Sequence, residues 1–333
     1  MVRRLVYISL LTFLFTSCFK EEAVYPPLEP FQMQWEQRLD SNGMLFINIE
    51  NRQITKESNP YLWDLSFETA PSAFQIHINK GKGMGIYNTR STTFDSVFNS
   101  DISWTHLERH AEGKTETLLE WGDFSFEQPQ SYSQVYLIHR GFDVFGNPMS
   151  VKKFQVVGFE NNAYLVRHAN LDGTGYIEAE VQKADSVSHV YLSLSGGGKE
   201  TVLEPKKDDW HLVMTPFLTA NKRPNPFATI VSSSYYIEDQ VLINPSQCQV
   251  AVDSTIPFEE FSYFDAQDAV FTEASDFIGG QWYIWNPADA RMEVKPNVKF
   301  ILKIQETYYL LQFLDYSKTN RRENAVVLAI KNL

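Results

Sequence analysis

The chain has 333 residues, 43% of them hydrophobic and 14% aromatic, and a formal net charge of -12. An acidic chain with no basic stripe repels phosphate backbones, which excludes nucleic acid as a partner. Its two cysteines, Cys18 and Cys248, and the lack of any Cys/His cluster at zinc-finger spacing exclude a disulfide-stapled or zinc-stapled fold, so a hydrophobic core must hold the molecule together.

Arg3 and Arg4 precede an apolar run from Leu5 to Phe15 that is too short to span a bilayer, the pattern of a secretory signal over residues 1–17. The Phe15-Thr16-Ser17-Cys18 ending resembles a bacterial lipobox, which implies cleavage before Cys18 and lipidation of that cysteine. Each methylene of such an acyl chain adds about 0.8 kcal/mol of membrane affinity, so two or more chains anchor stably. Losing Arg3 and Arg4 with the leader takes the net charge from -12 to -14. Phe19-Lys20-Glu21-Glu22 resembles the Lys-acidic-acidic export tag of surface lipoproteins in one phylum of Gram-negative bacteria. Residues 18–37, with Pro26, Pro27 and Pro30, read as a lipidated tether, because proline denies the chain helix and ladder hydrogen bonds. The expectation is an outer-membrane lipoprotein, exposed at the cell surface and bound to the membrane through its lipid.

Beyond the tether, short segments rich in β-branched and aromatic residues are punctuated by Gly, Asn, Asp and Pro, which predicts an all-β protein with minor α content. The clearest strands are Met44 to Ile49, Tyr61 to Phe67, Ser133 to His139, Lys153 to Phe159, Val190 to Leu194, Phe300 to Ile304 and Tyr308 to Leu314. Short helices are predicted within Asp95 to His110 and Phe258 to Ser275. One plan recurs: Met44 to Ile49, Trp63-Asp64, Trp121 and the strands at Val135 and Lys153 match Val190 to Leu194, Asp209-Trp210, Trp282 and the strands at Phe300 and Tyr308. A unit of this length is a domain, not a solenoid repeat, so two tandem antiparallel β domains are expected, at residues 38–175 and 176–333.

At these residues the chain resembles the HmuY family of secreted or outer-membrane-anchored lipoproteins. The similar segments are Trp63-Asp64-Leu65-Ser66-Phe67, Ile76 to Asn79, Gly81-Lys82-Gly83-Met84-Gly85, Asp209-Trp210, Trp282-Tyr283 and the closing hairpin from Lys299 to Tyr316. The resemblance implies an all-β scaffold that captures haem for iron acquisition and passes it to an outer-membrane receptor. In the best-known member of that family an axial histidine follows the tryptophan before the final hairpin, and relatives use methionine or none. Here Tyr283, Ile284, Trp285, Asn286 and Pro287 follow Trp282, and Gly122 to Phe126 follow Trp121, with no histidine in either set.

His106-Leu107-Glu108-Arg109-His110 is the one close histidine pair; on a helix both imidazoles share a face and can hold a metal ion, or one of them a haem iron. A solvated helix or turn is the plain alternative. His77, His139, His168, His189 and His211 each read singly as a structural, hydrogen-bonded residue. The glycine run from Gly81 to Gly85 lacks a phosphate-loop ending and reads as a flexible β loop suited to a lid. Trp63 and Trp210 read as core, with the adjacent aspartate capping a turn or an amide. Trp282 and Trp285 either belong to the core or present rings to a flat ligand such as a sugar or a porphyrin. No hydrolase, zinc-protease or P-loop signature is present, so binding is expected rather than catalysis. The alternative to haem capture is an accessory lipoprotein that holds no cofactor and contacts glycan or protein.

Overall fold

The computed structural model describes residues 31–37, 43–96, 120–126, 128–195, 200–220, 229–230, 235–289, 291–318 and 324–333. His106, His110 and Cys18 lie outside these residues, as does nearly all of the helix expected from Asp95 to His110.

The chain begins with β1 (Phe31–Gln37), β2 (Met44–Asn48) and β3 (Gln53–Ser58). It continues through β4 (Leu65–Glu68), β5 (Ile76–Ile78), β6 (Gly85–Asn88), β7 (Gly122–Asp123), β8 (Gln130–Ser131) and β9 (Val135–His139). Next come β10 (Val151–Glu160), β11 (Ala163–Asn170), β12 (Ile177–Gln182), β13 (His189–Leu192) and β14 (Glu200–Thr201). The remainder holds β15 (Leu212–Ala220), β16 (Thr229–Ile230), β17 (Tyr235–Ile243), β18 (Cys248–Asp253) and the one described α-helix, α1 (Tyr263–Gln267). It ends with β19 (Tyr283–Asn286), β20 (Arg291–Val294), β21 (Lys299–Ile304), β22 (Thr307–Lys318) and β23 (Asn324–Asn332). The protein is all-β with minor helix, as its alternating sequence predicts; α1 falls inside the helix expected from Phe258 to Ser275 and is closed by a Ser262–Asp265 capping box.

Four antiparallel sheets form two sandwiches. In the first, β14-β13-β4-β5 lies over β12-β11-β10-β9-β6; in the second, β3-β2-β15-β17-β16 lies over β1-β23-β22-β21-β18. Strand alternation explains the cores. Leu65, Phe67, Ile76, Ile78, Val190 and Leu192 of one sheet meet Tyr136, Ile138, Phe154, Val156, Tyr164 and Val166 of the other. In the second sandwich Leu45, Ile47, Leu212, Met214 and Val241 meet Val250, Phe300, Leu302, Leu311, Phe313 and Leu328.

The two strand orders correspond strand for strand except at β16, which has no counterpart in the first sandwich. β13 pairs β4 through Leu192–Leu65, as β2 pairs β15 through Ile47–Leu212. A bulge interrupts β10 between Val156 and Gly158, and another interrupts β22 between Phe313 and Asp315. Asn79 donates its side-chain amide to the carbonyls of Pro60 and Trp63, and Asn244 does the same to Lys207 and Trp210. The expected boundary between residues 175 and 176 does not separate the sandwiches. β12 to β14, assigned by sequence to the second unit, complete the first sandwich; β1 to β3, the chain's opening strands, complete the second. The first sandwich is thus one continuous run, β4 to β14, set between the two segments, β1 to β3 and β15 to β23, that build the second.

The glycine run is not a mobile lid. Lys80–Lys82 forms a short 3-10 turn wedged against β15 of the other sandwich, where a Cβ on Gly81 would stand 2.5 Å from the Pro216 carbonyl oxygen. Gly83, at φ 61°, ends the turn in the left-handed region that favours glycine. Phe142 packs on Leu218 and Ile237 across the same junction.

Candidate metal centre on the outer face of the first sandwich

Because Leu65 and Phe67 point into the core, Ser66 and Glu68 of β4 point outward. Alternation likewise turns His77 outward between Ile76 and Ile78, and His189 and Tyr191 outward around Val190. The register then sets the neighbours. His189 stands directly opposite Glu68, and His77, opposite Ser66, is diagonal to it. Two imidazoles therefore flank one carboxylate on three adjacent strands, and one ligand atom from each residue lies within 4.8 Å of the others.

His77 Nε2 is 3.4 Å from Glu68 Oε1, while Glu68 Oε2 accepts the Gln75 backbone N–H at 3.0 Å. The rings of His77 and His189 are 5.6 Å apart and inclined at 76°. All three side chains are half-buried. Burial lowers the pKa of His77 against the opposing pull of Glu68, which favours the neutral imidazole. Burial works to raise the Glu68 pKa, but the hydrogen bonds from His77 and Gln75 prevail and hold it below the ordinary value.

A fourth residue braces the group. Glu204, whose side chain is 2% exposed, accepts the backbone N–H of His189 at 2.7 Å and that of Ser188, and accepts the Tyr191 hydroxyl at 3.2 Å. Its Oε2 lies 3.7 Å from His189 Nδ1. A carboxylate behind an imidazole orients the ring and favours one tautomer, the arrangement common around metal-binding histidines.

The second sandwich supplies an internal control. At the positions of Glu68, His77 and His189 it carries Thr215, Leu242 and Met44. Met44 and Leu242 pack there with Phe46, Trp210 and Val213 in an apolar cluster. The scaffold is built in both copies, so the chemistry of the first copy is not a requirement of folding.

The residues nominated by the sequence fall elsewhere. Trp282 is 1% exposed, stacked on Phe313 at 4.0 Å with its indole N–H donated to the Gly279 carbonyl, so it belongs to the core and offers no ring face to a ligand. Trp285 is half-buried against the same core. Trp63 and Trp210 pack on the outer faces of their sheets, each 5.0 Å from an aromatic ring, Tyr191 and Phe46 respectively. Asp64 does cap an amide, as expected, but Asp209 has no such role: the residue equivalent to Asp64 is His211, which follows Trp210.

Sequence reading missed the His77, His189 and Glu68 group. The outward phase of each residue was visible in its own strand; their adjacency depends on β13 crossing back to β4, which no local pattern shows.

In comparisons with known proteins, no family model, no curated protein and no solved structure matches this chain.

Proposed function

We propose that this chain is an outer-membrane lipoprotein, displayed at the cell surface, that captures an extracellular metal-bearing ligand rather than transforming one. The observation that carries the reading is the asymmetry of the duplicated scaffold: one copy of an equivalent sheet face is closed by Met44, Leu242 and Trp210, and the other presents His77, His189 and Glu68 half-exposed. The strands of this face correspond between the copies, and the side chains they present differ in chemistry. The leader, the lipobox-like Cys18 and the acidic tag support the location, and the resemblance to the HmuY family nominates haem as the ligand and an outer-membrane receptor as its destination.

Haem added to the purified protein tests the ligand. A Soret shift that saturates at one haem per chain supports capture, and unchanged spectra up to that ratio remove haem from the reading. Cys18→Ala should release the protein from membranes, and protease shaving of intact cells should degrade the wild-type chain.

A second reading, contact with glycan or protein without a cofactor, draws on the β7–β8 hairpin. Phe124, Phe126 and Tyr132 are 41%, 57% and 50% exposed there, the amphipathic aromatic surface that carbohydrate and protein partners use. Glycan-array binding lost on Phe126→Ala would favour it.

A further inference from the structure

The geometry points to a divalent first-row transition-metal ion of the zinc type, bound as the bare ion by His77, His189 and Glu68, as the ligand of this face. The inference rests on the reading of the outer face of β13-β4-β5 as the ligand face and names what that face holds.

Two imidazoles and one carboxylate form the donor set that zinc and its neighbours prefer; calcium and magnesium call for all-oxygen shells. Donors about 2.0–2.2 Å from zinc in a tetrahedral shell stand about 3.3 Å from one another. His77 Nε2 and Glu68 Oε1 already stand 3.4 Å apart. The third donor lies within 4.8 Å of both and sits on a side chain 32% exposed, so a modest ring rotation brings it to the ion. Glu204 Oε2 lies 3.7 Å from Nδ1 of His189, behind the ring that turns to the ion. All three donors rise from one sheet face. Axial ligands of haem approach iron from opposite sides of a plane, whereas donors converging from one side suit a bare ion with a position left open to water or to a partner's side chain.

The site also joins the two halves of the chain. Glu68 and His77 belong to β4 and β5, while His189 belongs to β13, supplied by the returning half, as is the buried brace Glu204.

The test is zinc titrated into the purified, metal-stripped whole chain, read by calorimetry and by competition with a chromophoric zinc indicator. The expected result is one ion per chain, with affinity reduced at least about a hundredfold in His77→Gln and in His189→Gln, and about ten- to a hundredfold in Glu204→Gln. Near-ultraviolet circular dichroism of each variant, matching the wild type, separates lost ligation from lost folding. Thr215→Ala, at the equivalent position of the second sandwich, should leave zinc binding unchanged. No zinc uptake by the folded wild type, or uptake that persists in both histidine variants, overturns the inference. The surface-capture reading fails separately: zinc bound at this site by a chain that shaving shows to be internal keeps the ion and removes the location, and a shaved, membrane-anchored chain that ignores zinc does the reverse.

Discussion

Asp64 and His211 do the same work in the two sandwiches. Asp64 Oδ2 accepts the backbone N–H of Leu194 at 2.7 Å, and His211 Nδ1 accepts that of Ile49 at 3.0 Å. In both cases the amide lies just past the strand that arrives from the other half of the chain, and the same two residues donate their own N–H to Leu192 and Ile47. A carboxylate and an imidazole are interchangeable here because the position demands only an acceptor. Their surroundings differ: Asp64 is fully buried between Lys82 and Arg140, and His211 has Glu50 3.6 Å from Nε2.

Two buried histidines, His211 and His168, predict acid sensitivity. Burial pushes the His211 pKa down to about 4, and burial, then Lys152, does the same to His168, where Arg140 adds to the effect and Asp64 opposes it. Both are 1% exposed, and neither ring nitrogen of His168 has a hydrogen-bond partner. The unfolded chain titrates near 6.5, so below that pH it binds protons that the folded state refuses. The stability contributed is present above pH 6.5 and is lost as pH falls towards 4, about 2 kcal/mol per histidine at pH 5. Urea denaturation at pH 7.5 and pH 5.0 checks this; His211→Asn, which retains an acceptor, should flatten the difference by about half.

Asp64→Ala should cost about 3–5 kcal/mol, because it strands Lys82 and Arg140 as buried cations without their carboxylate. The drop in urea midpoint measures it. Asp64→Ala with Lys82→Met removes both members of the closest ion pair and should recover part of the loss; a double variant no more stable than the single one would contradict the account.

Trp282→Ala should lower stability by about 3–5 kcal/mol through the cavity left beside Phe313, Tyr283 and Tyr316. Zinc and haem titrations of the folded variant at low temperature should match the wild type, since its ring faces only other core residues.

Zinc at about a hundred times its dissociation constant should stabilise the folded chain by about 2.7 kcal/mol, visible as a raised Tm. His77→Gln should abolish the shift. Imidazoles must be neutral to ligate, so the shift should fade as pH drops below the histidine range.

Much of this architecture could be read from residues alone. The paired segments Met44 to Ile49 and Val190 to Leu194, Trp121 and Trp282, and Lys153 to Phe159 and Tyr308 to Leu314 occupy equivalent places in the two sandwiches. Their alternating apolar residues specify a strand and its buried face, and that survived folding. The assignment of strands to sandwiches did not, because β2 and β13 carry the same pattern and either could satisfy β4 or β15 by periodicity; only the length and path of the connections decide. Gly81 to Gly85 misled for a related reason: glycine is chosen for freedom and also for close approach, and at Gly81 the approach to Pro216 is what counts. His77 and His189, far apart in sequence, were legible as outward residues and illegible as neighbours.

The clasp of β1 against β23 and of β2 against β15 also orders events during synthesis. The first sandwich is complete once β14 has emerged, but the second needs strands from both extremes of the polypeptide. β2 and β3 can pair with each other at once and wait for β15, whereas β1 must wait, unpaired, for β23. Maturation is therefore sequential, the ligand-facing body closing early and the other last, and any chaperone that attends this chain has most to do at its opening strands.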